Sequence, residues 1–241
     1  PVRIAVAKEK SQLVLTGVDL RIFTRDAVNL RLPKQLDRNQ FTITASRRGF
    51  TINKHSVPEK HLIIDSPSIY FRMGSRQYRG ILHLRRSPKG KITAVNEIGL
   101  ENYLVGLINH EINSSWPMAS VKAQAVVART YAMHQIKHRK NNDYDLESTV
   151  LDQVYAGSQR EDWRSAKAVR ETYGEILATP KGKVIPAYYH SCCGGETELP
   201  ENVWGNSTAL KETVKDPFCK TVPHDEVPVV TYIAQGISKL F

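Results

Sequence analysis

Hydrophobic and polar residues alternate through most of the first 98 residues, with the period of two that is typical of β-strands. The alternating stretches are 2–6, 18–22, 61–64, 69–72, 81–84 and 92–95. Sequences rich in turn residues separate them, for example Ser87-Pro88-Lys89-Gly90. The pattern therefore predicts a β-rich region over residues 1–98.

From residue 100 the apolar residues recur every three or four positions, which is the spacing of an amphipathic helix. They predict a first helix over residues 100–112. A second helix starts at Pro117, a residue suited to a first helical turn, and runs to about His138. A third helix is predicted over residues 161–173, and Gly174 ends it.

A hairpin is predicted after the helices, because two β-like stretches, 175–178 and 184–189, flank the favourable turn sequence Thr179-Pro180-Lys181-Gly182. The predicted fold class is therefore α+β. It consists of a helical core with a β-hairpin over residues 99–241, packed with the β-rich region over residues 1–98.

Composition narrows the possible classes of protein. The chain has 241 residues, 41% of them hydrophobic, and no apolar run approaches the roughly 18 residues that a membrane-spanning helix needs. An integral membrane protein and a disordered chain are therefore excluded. The net charge of +10 favours a polyanionic partner: nucleic acid, anionic lipid or an acidic polysaccharide. Nucleic acid is the least favoured, because no helix-turn-helix or aromatic platform is recognisable.

Glu111 breaks the pattern of the first helix, because it takes a position on the apolar face where the preceding turns carry Leu or Tyr. It also lies in the last turn, where the partial negative charge of the helix end disfavours an anion. The helix end and partial burial are both expected to raise the pKa of this carboxyl group. A carboxylic acid that keeps its proton near neutral pH can act as a general acid. The alternative is a helix that ends one residue earlier, with Glu111 solvated or in a salt bridge.

The pattern alone leaves the other candidate residues ambiguous. Gln124 and Arg129 lie on the second helix, where structural hydrogen bonding explains them as well as a substrate contact does. Four polar residues end a strand just before a Gly-Gly pair, a position common for groups that line a cleft: Tyr188, Tyr189, His190 and Ser191. A serine hydrolase is not supported, because adjacent His and Ser side chains face opposite sides of a strand and no Gly-x-Ser-x-Gly is present.

The three cysteines, Cys192, Cys193 and Cys219, allow one disulfide and one further thiol. A bond between Cys193 and Cys219 is favoured over one from Cys192, because Gly194 gives the neighbouring backbone freedom. Reduced thiols throughout are the alternative. A zinc site built from these cysteines and nearby histidines is least favoured, since the spacing matches no common module.

A series of short motifs occurs in a fixed order along the chain. The most specific is Val-Lys-Ala-Gln-Ala-Val-Val-Ala-Arg-Thr-Tyr-Ala at residues 121–132. The others are Glu101 to Gly106, His110-Glu111, Trp116-Pro117, Asp152 to Gly157, Ala168 to Gly174, and Tyr189 to Gly195. In this series the chain resembles the SpoIID/LytB domain family of sporulation stage II protein D and amidase-enhancer proteins.

This resemblance implies a peptidoglycan lytic transglycosylase, which cleaves the bond between N-acetylmuramic acid and N-acetylglucosamine and prefers strands stripped of stem peptides. Glu111 matches the catalytic glutamate of the family, and the implied catalytic domain covers residues 99–241. The residues expected to bind substrate are Lys122, Gln124, Arg129, Gln153, Tyr188, Tyr189, Ser191, Gly194 and Gly195.

The resemblance also implies peptidoglycan glycan strands as the partner, no cofactor, and a location outside the cytoplasm, where a Cys193–Cys219 disulfide persists. The alternative function is a non-catalytic cell-wall binding protein that stimulates an N-acetylmuramoyl-L-alanine amidase.

Some sporulation members of the family share a zinc site built from one His and two Cys. Residues 141–152 contain neither residue type, so no metal is expected. The chain begins at Pro1 without a signal sequence, and we expect a processed or trimmed portion of an exported protein.

Overall fold

The computed structural model describes residues 1–26, 30, 39–140, 142–190, 192–205 and 212–218. Contacts within the chain divide it into two compact units, Pro1–Ile176 and Leu177–Phe241. The predicted division between residues 98 and 99 falls inside the first unit and remains a prediction about domain organisation.

The described part of the first unit contains two six-stranded sheets. Their strands are β1 (Val2–Lys10), β2 (Gln12–Gly17), β3 (Arg21–Thr24), β4 (Gln40–Ser46), β5 (Gly49–Ile52), β6 (His55–Val57), β7 (His61–Asp65), β8 (Tyr70–Met73), β9 (Arg76–Arg79), β10 (Ile81–Arg86), β11 (Ile92–Ile98) and β12 (Leu146–Glu147). The spatial orders are β12-β1-β11-β10-β7-β3 and β6-β5-β4-β2-β8-β9. Neighbouring strands are antiparallel except β12, which runs parallel to β1. The strand predicted over 18–22 begins only at Arg21, because Asp19 has a φ of 45° in the turn before it.

The alternation seen in the sequence separates a buried face from a more polar face on each sheet. On β10, Leu82 and Leu84 are fully buried, whereas the intervening His83 is partly exposed. Phe41 and Ile43 of β4 are buried in the same alternating way. These faces share one hydrophobic cluster with the apolar residues of the helices. The predicted fold class, α+β, is therefore confirmed.

The helices are α1 (Leu100–Glu111), α2 (Met118–His138), α3 (Trp163–Glu171) and α4 (Pro200–Trp204). The first three lie within two residues of their predicted bounds. A capping box starts α3: Asp162 accepts from the N–H of Ser165, and the Ser165 side chain accepts from the N–H of Asp162. The predicted hairpin is reduced to one bridge, Ala178 to Val184, around the turn at Thr179.

Two glycines allow the segment after β12 to pass close to α1 and β9. A Cβ on Gly106 would lie 2.9 Å from the carbonyl oxygen of Gly157. A Cβ on Gly157, whose φ is 89°, would collide with the carbonyl oxygen of Gln77. A side chain at either glycine would therefore displace residues 152–157, which border Glu111.

Two histidines and a glutamate form a hydrogen-bonded row across neighbouring strands of the first sheet. His61 Nε2 lies 3.1 Å from His83 Nδ1, and His83 Nε2 lies 3.0 Å from Glu97 Oε2. Burial, the Arg85 charge and His83 lower the pKa of His61 to about 4. Burial also lowers the pKa of His83, although Glu97 opposes this effect. Both rings are therefore neutral near pH 7.

We expect the free energy of unfolding to fall as the pH drops from about 6.5 towards 4. The ordinary pKa of His61 is 6.5, so in this interval the unfolded chain binds a proton that the folded protein excludes. Urea unfolding at a series of pH values measures the effect, and His61→Gln should make the decline shallower. Stability that stays constant or rises over this interval would contradict the burial of neutral histidines.

Candidate active site

Glu111 is the last residue of α1, and its side chain is buried, with 5% of the residue exposed. The helix ends there because Ile112 is extended, with φ −139° and ψ 168°. Glu111 Oε1 accepts a hydrogen bond of 2.9 Å from the backbone N–H of Val154. The carboxyl group thus lies at a helix end and out of solvent, in the surroundings that the sequence pattern indicated.

The hydrogen bond to Glu111 comes from residues 152–154, and Asp152 fixes this segment in place. Asp152 accepts from Tyr131 Oη at 2.8 Å and pairs with Arg139 at 2.6 Å. Gln153 follows it, and Val154 then presents its N–H to Glu111. Tyr131 and Arg139 lie on α2 or just beyond its end, and the N–H of Glu147 in β12 also donates to Asp152 at 2.8 Å. The position of the Val154 N–H therefore depends on both elements. Sequence reasoning missed this donor, because a backbone N–H leaves no signal in a residue pattern.

Gln153 is fully buried and acts inside the protein. Its Oε1 accepts from Tyr103 Oη of α1 at 2.9 Å, and its Nε2 donates to the carbonyl oxygen of Ala128 of α2 at 3.3 Å. The side chain thus joins the two helices. This placement corrects the expectation that Gln153 contacts substrate.

Arg129 is also fully buried, and its N–H groups are directed at protein oxygens. It forms a two-point pair with Glu101, at 2.9 Å from Nε and 2.7 Å from Nη2. The remaining contacts go to the carbonyl oxygens of Val169 and Glu175 and to the hydroxyl of Thr172, at 3.2 to 3.5 Å. Five bonds use the five donors of a guanidinium, so no donor is left for a substrate carboxylate. The predicted substrate contact is wrong for Arg129, which links the helices instead.

Two other predicted contacts on α2 reach the surface or its edge. Lys122 is 38% exposed in its side chain and pairs with Glu171 of α3 at 2.8 Å. Gln124 is partly buried, and its Nε2 makes no hydrogen bond with the described residues. Both remain predicted substrate contacts.

On its other side, the end of α1 is fastened to the start of α3. Asp162 Oδ2 accepts from Ser114 Oγ at 2.5 Å and from Asn109 Nδ2 at 2.9 Å. Burial alone would raise the pKa of Asp162, but the bonds from Ser114, the Ser165 N–H and Asn109 outweigh it and lower the pKa. An ionised Asp162 therefore both caps α3 and anchors the turn after Glu111. The Asp-x-x-Ser spacing is a capping signal that the sequence already contained.

His110 precedes Glu111 in α1, and its ring lies within reach of two positive charges. Burial, followed by the charges of Arg160 and Arg76, lowers the pKa of His110 to about 4. Its Nε2 is buried and makes no hydrogen bond with the described residues. The two arginines are exposed, so they offer charge to an anionic ligand.

The remaining predicted site residues belong to the second unit. Tyr188 is 37% exposed, and Tyr189 is partly buried. Gly194 and Gly195 have φ values of 69° and 112°, which L side chains rarely adopt. Ser191 lies outside the described residues. Substrate contact by these residues stays a prediction.

The cysteines differ from the prediction. Cys192 is disulfide-bonded, whereas Cys193 is a buried thiol whose Sγ lies 3.6 Å from Asp216 Oδ2. The disulfide therefore involves the neighbour of the predicted residue, and the other predicted member, Cys219, lies outside the described residues. Within the described ranges, no three His, Cys, Asp or Glu side chains are grouped so that they could hold a metal ion. No described helix is both long and apolar enough to cross a bilayer.

Comparison with known proteins identifies the elements around Glu111. Residues 88–178 match the family model SpoIID, described as Stage II sporulation protein. The match covers α1, which carries the buried Glu111, the segment of Val154 that donates to it, and the helices α2 and α3. Residues 88–178 thus belong to the SpoIID/LytB family, which is related to the cell wall.

Two named relatives agree with this assignment, and an uncharacterized protein is also similar. The chain is 34% identical over 178 residues to an uncharacterized protein of Brachyspira hyodysenteriae. The aligned residues cover 73% of this chain and 48% of that protein. It is 36% identical over 119 residues to the Amidase enhancer of Bacillus subtilis, covering 47% of this chain and 16% of that protein. It is 29% identical over 145 residues to Stage II sporulation protein D of Bacillus amyloliquefaciens, covering 54% of this chain and 42% of that protein. The chain thus spans less than half the length of each of these relatives.

Proposed function

We propose that the protein is a peptidoglycan lytic transglycosylase in which Glu111 acts first as general acid and then as general base. The observation that carries the proposal is the buried Glu111 carboxyl group at the end of α1, oriented by the Val154 N–H at 2.9 Å. Burial shields the carboxyl group from solvent, and the fixed hydrogen bond restricts its orientation. Both properties suit a general acid.

The proposed reaction needs only this one carboxyl group. Protonated Glu111 donates its proton to the glycosidic oxygen, and the bond from that oxygen to C1 of N-acetylmuramic acid breaks. The C6 hydroxyl of the same sugar then bonds to C1 and gives its proton to the Glu111 carboxylate. The products are an N-acetylglucosamine end and a 1,6-anhydro-muramic end, and Glu111 regains its proton. No water is consumed, so the second carboxylate of a hydrolytic glycosidase is not required.

The charge of the protein supports stripped glycan strands as the substrate. When the stem peptide is absent, each muramic acid carries a free lactyl carboxylate. Arg76 and Arg160 near His110, and Lys122 on α2, offer positive charge to such groups. A location outside the cytoplasm is part of the proposal, and the disulfide at Cys192 supports it.

Mass analysis of the products tests the proposal. The protein is incubated with peptide-free glycan strands and, in parallel, with intact peptidoglycan. We expect products that are lighter by one water than those of hydrolysis, with more turnover on the stripped strands. Products with ordinary reducing ends, or no products from either preparation, would contradict the proposed activity.

The second candidate function is a non-catalytic cell-wall protein that stimulates an N-acetylmuramoyl-L-alanine amidase. Its support is the 36% identity to the Amidase enhancer of Bacillus subtilis. Assays with this protein alone, an amidase alone and both together separate the two functions. Turnover by the protein alone favours the transglycosylase, and faster amidase turnover without anhydro products favours the enhancer.

A further inference from the structure

Two large aromatic side chains are exposed near the end of α1. Trp116, in the turn between α1 and α2, is 52% exposed, and Trp163, the first residue of α3, is 67% exposed. Exposed indoles forgo the stabilisation that burial of their large apolar area would provide. A cluster of exposed apolar side chains often marks a binding site.

Arg164 links the backbone at Trp116 to the start of α3, where Trp163 lies. Its Nε donates to the carbonyl oxygen of Ser114 at 2.6 Å, and its Nη2 donates to that of Trp116 at 2.8 Å. The guanidinium carbon also lies 5.5 Å from the ring centre of Trp163. One guanidinium group therefore contacts the backbone of Trp116 and the ring of Trp163.

The same region is fixed to the helix end that carries Glu111. Ser114 Oγ and Asn109 Nδ2 both donate to Asp162, the N-cap of α3 and the residue directly before Trp163. The start of α3 and the turn that contains Trp116 are thus held together beside the last turn of α1. Both exposed indoles therefore belong to segments that are bonded to the end of α1.

We propose that Trp116, Trp163 and Arg164 form a glycan-binding surface that holds a peptidoglycan strand beside Glu111; this inference rests on the proposed function. A flat indole face suits the C–H face of a pyranose ring, which is apolar despite the hydroxyl groups at its rim. The Arg164 guanidinium suits the carboxylate or acetamido oxygen that such a strand carries at regular intervals. The occupant is therefore an extended sugar chain with carboxylate groups.

Binding measurements on the whole chain test this surface without turnover. In the Glu111→Gln background, we titrate soluble peptide-free glycan strands and follow binding by calorimetry and by tryptophan fluorescence. Trp163→Ala and Trp116→Ala should each weaken binding about tenfold or more, the size of effect seen for aromatic anchors at binding sites. Trp163→Phe, which keeps an aromatic face, should retain most of the affinity. Tyr173→Ala is the matched control, because Tyr173 is 75% exposed and follows the other end of α3.

The outcomes separate this surface from the proposed catalysis. Equal affinities for the parent, both Trp→Ala variants and Tyr173→Ala would overturn the surface even if the wild-type protein cleaves strands. If the tryptophans are needed for binding but the wild-type protein does not cleave the strands, the surface is supported and the proposed catalysis is refuted. Strands that do not bind the parent protein at all would overturn the surface directly. Unchanged circular dichroism and thermal unfolding of each variant would show that a lost affinity does not reflect a lost fold.

Discussion

Glu111→Gln is expected to lower glycan cleavage at least about 100-fold, to background, while leaving the fold intact. An amide cannot deliver a proton to the glycosidic oxygen, but its carbonyl oxygen can still accept the 2.9 Å bond from Val154. Binding of stripped strands should therefore remain close to that of the wild type. Product formation followed by mass analysis and binding followed by calorimetry give the two readouts.

The control for this substitution is Glu9→Gln, an exposed glutamate at the end of β1. It makes the same change of side chain at a site away from the helices and should leave cleavage unchanged. Normal turnover by Glu111→Gln would assign the chemistry to another residue. Loss of turnover together with loss of binding or of cooperative unfolding would point to a structural role for Glu111.

Arg129→Met is expected to cost about 3 to 5 kcal/mol in the free energy of unfolding, because it leaves one side of a buried pair without its partner. The Arg129 side chain is 1% exposed and the paired Glu101 side chain is 28% exposed. Methionine fills a similar volume but supplies none of the five hydrogen bonds. The urea midpoint, with the slope of the unfolding transition, measures the loss.

Lys122→Ala provides the comparison on the same helix. Its pair with Glu171 lies at the surface, with side chains 38% and 35% exposed, so its removal should cost less than about 1 kcal/mol. Equal losses for the two variants would contradict the structural role of Arg129. An Arg129 variant of normal stability but weak glycan binding would instead restore Arg129 as a substrate contact.

The helical part of the molecule could be predicted closely because its signals are local. The period of apolar residues located α1 to within one residue of its C-terminal end, and it singled out Glu111 as a carboxyl group on an apolar face. Gly174 marked the end of α3 to within two residues in a similar way. The short strands β5 and β6 give weaker signals, because a few alternating residues do not define a period.

The partners of polar residues could not be predicted, because they lie far along the chain. Arg129 meets Glu101 across 28 residues, and Gln153 meets Tyr103 across 50. Nothing in the immediate sequence of Arg129 or Gln153 distinguishes a buried donor from a group that faces substrate. Only the packing of α1 against α2 shows that these side chains are enclosed.

The sequence by itself determined the fold class, the three longer helices, the family and the position of one carboxyl group on an apolar helix face. Each of these depends on residue types within a few turns or within one motif. The tertiary structure decided that the Val154 N–H meets Glu111 and that Arg129 and Gln153 are internal. It also decided that one guanidinium group contacts the carbonyl oxygen of Trp116 and the ring of Trp163. These features depend on contacts between distant residues, and such contacts arise only when burial of the common hydrophobic cluster brings sheets and helices together.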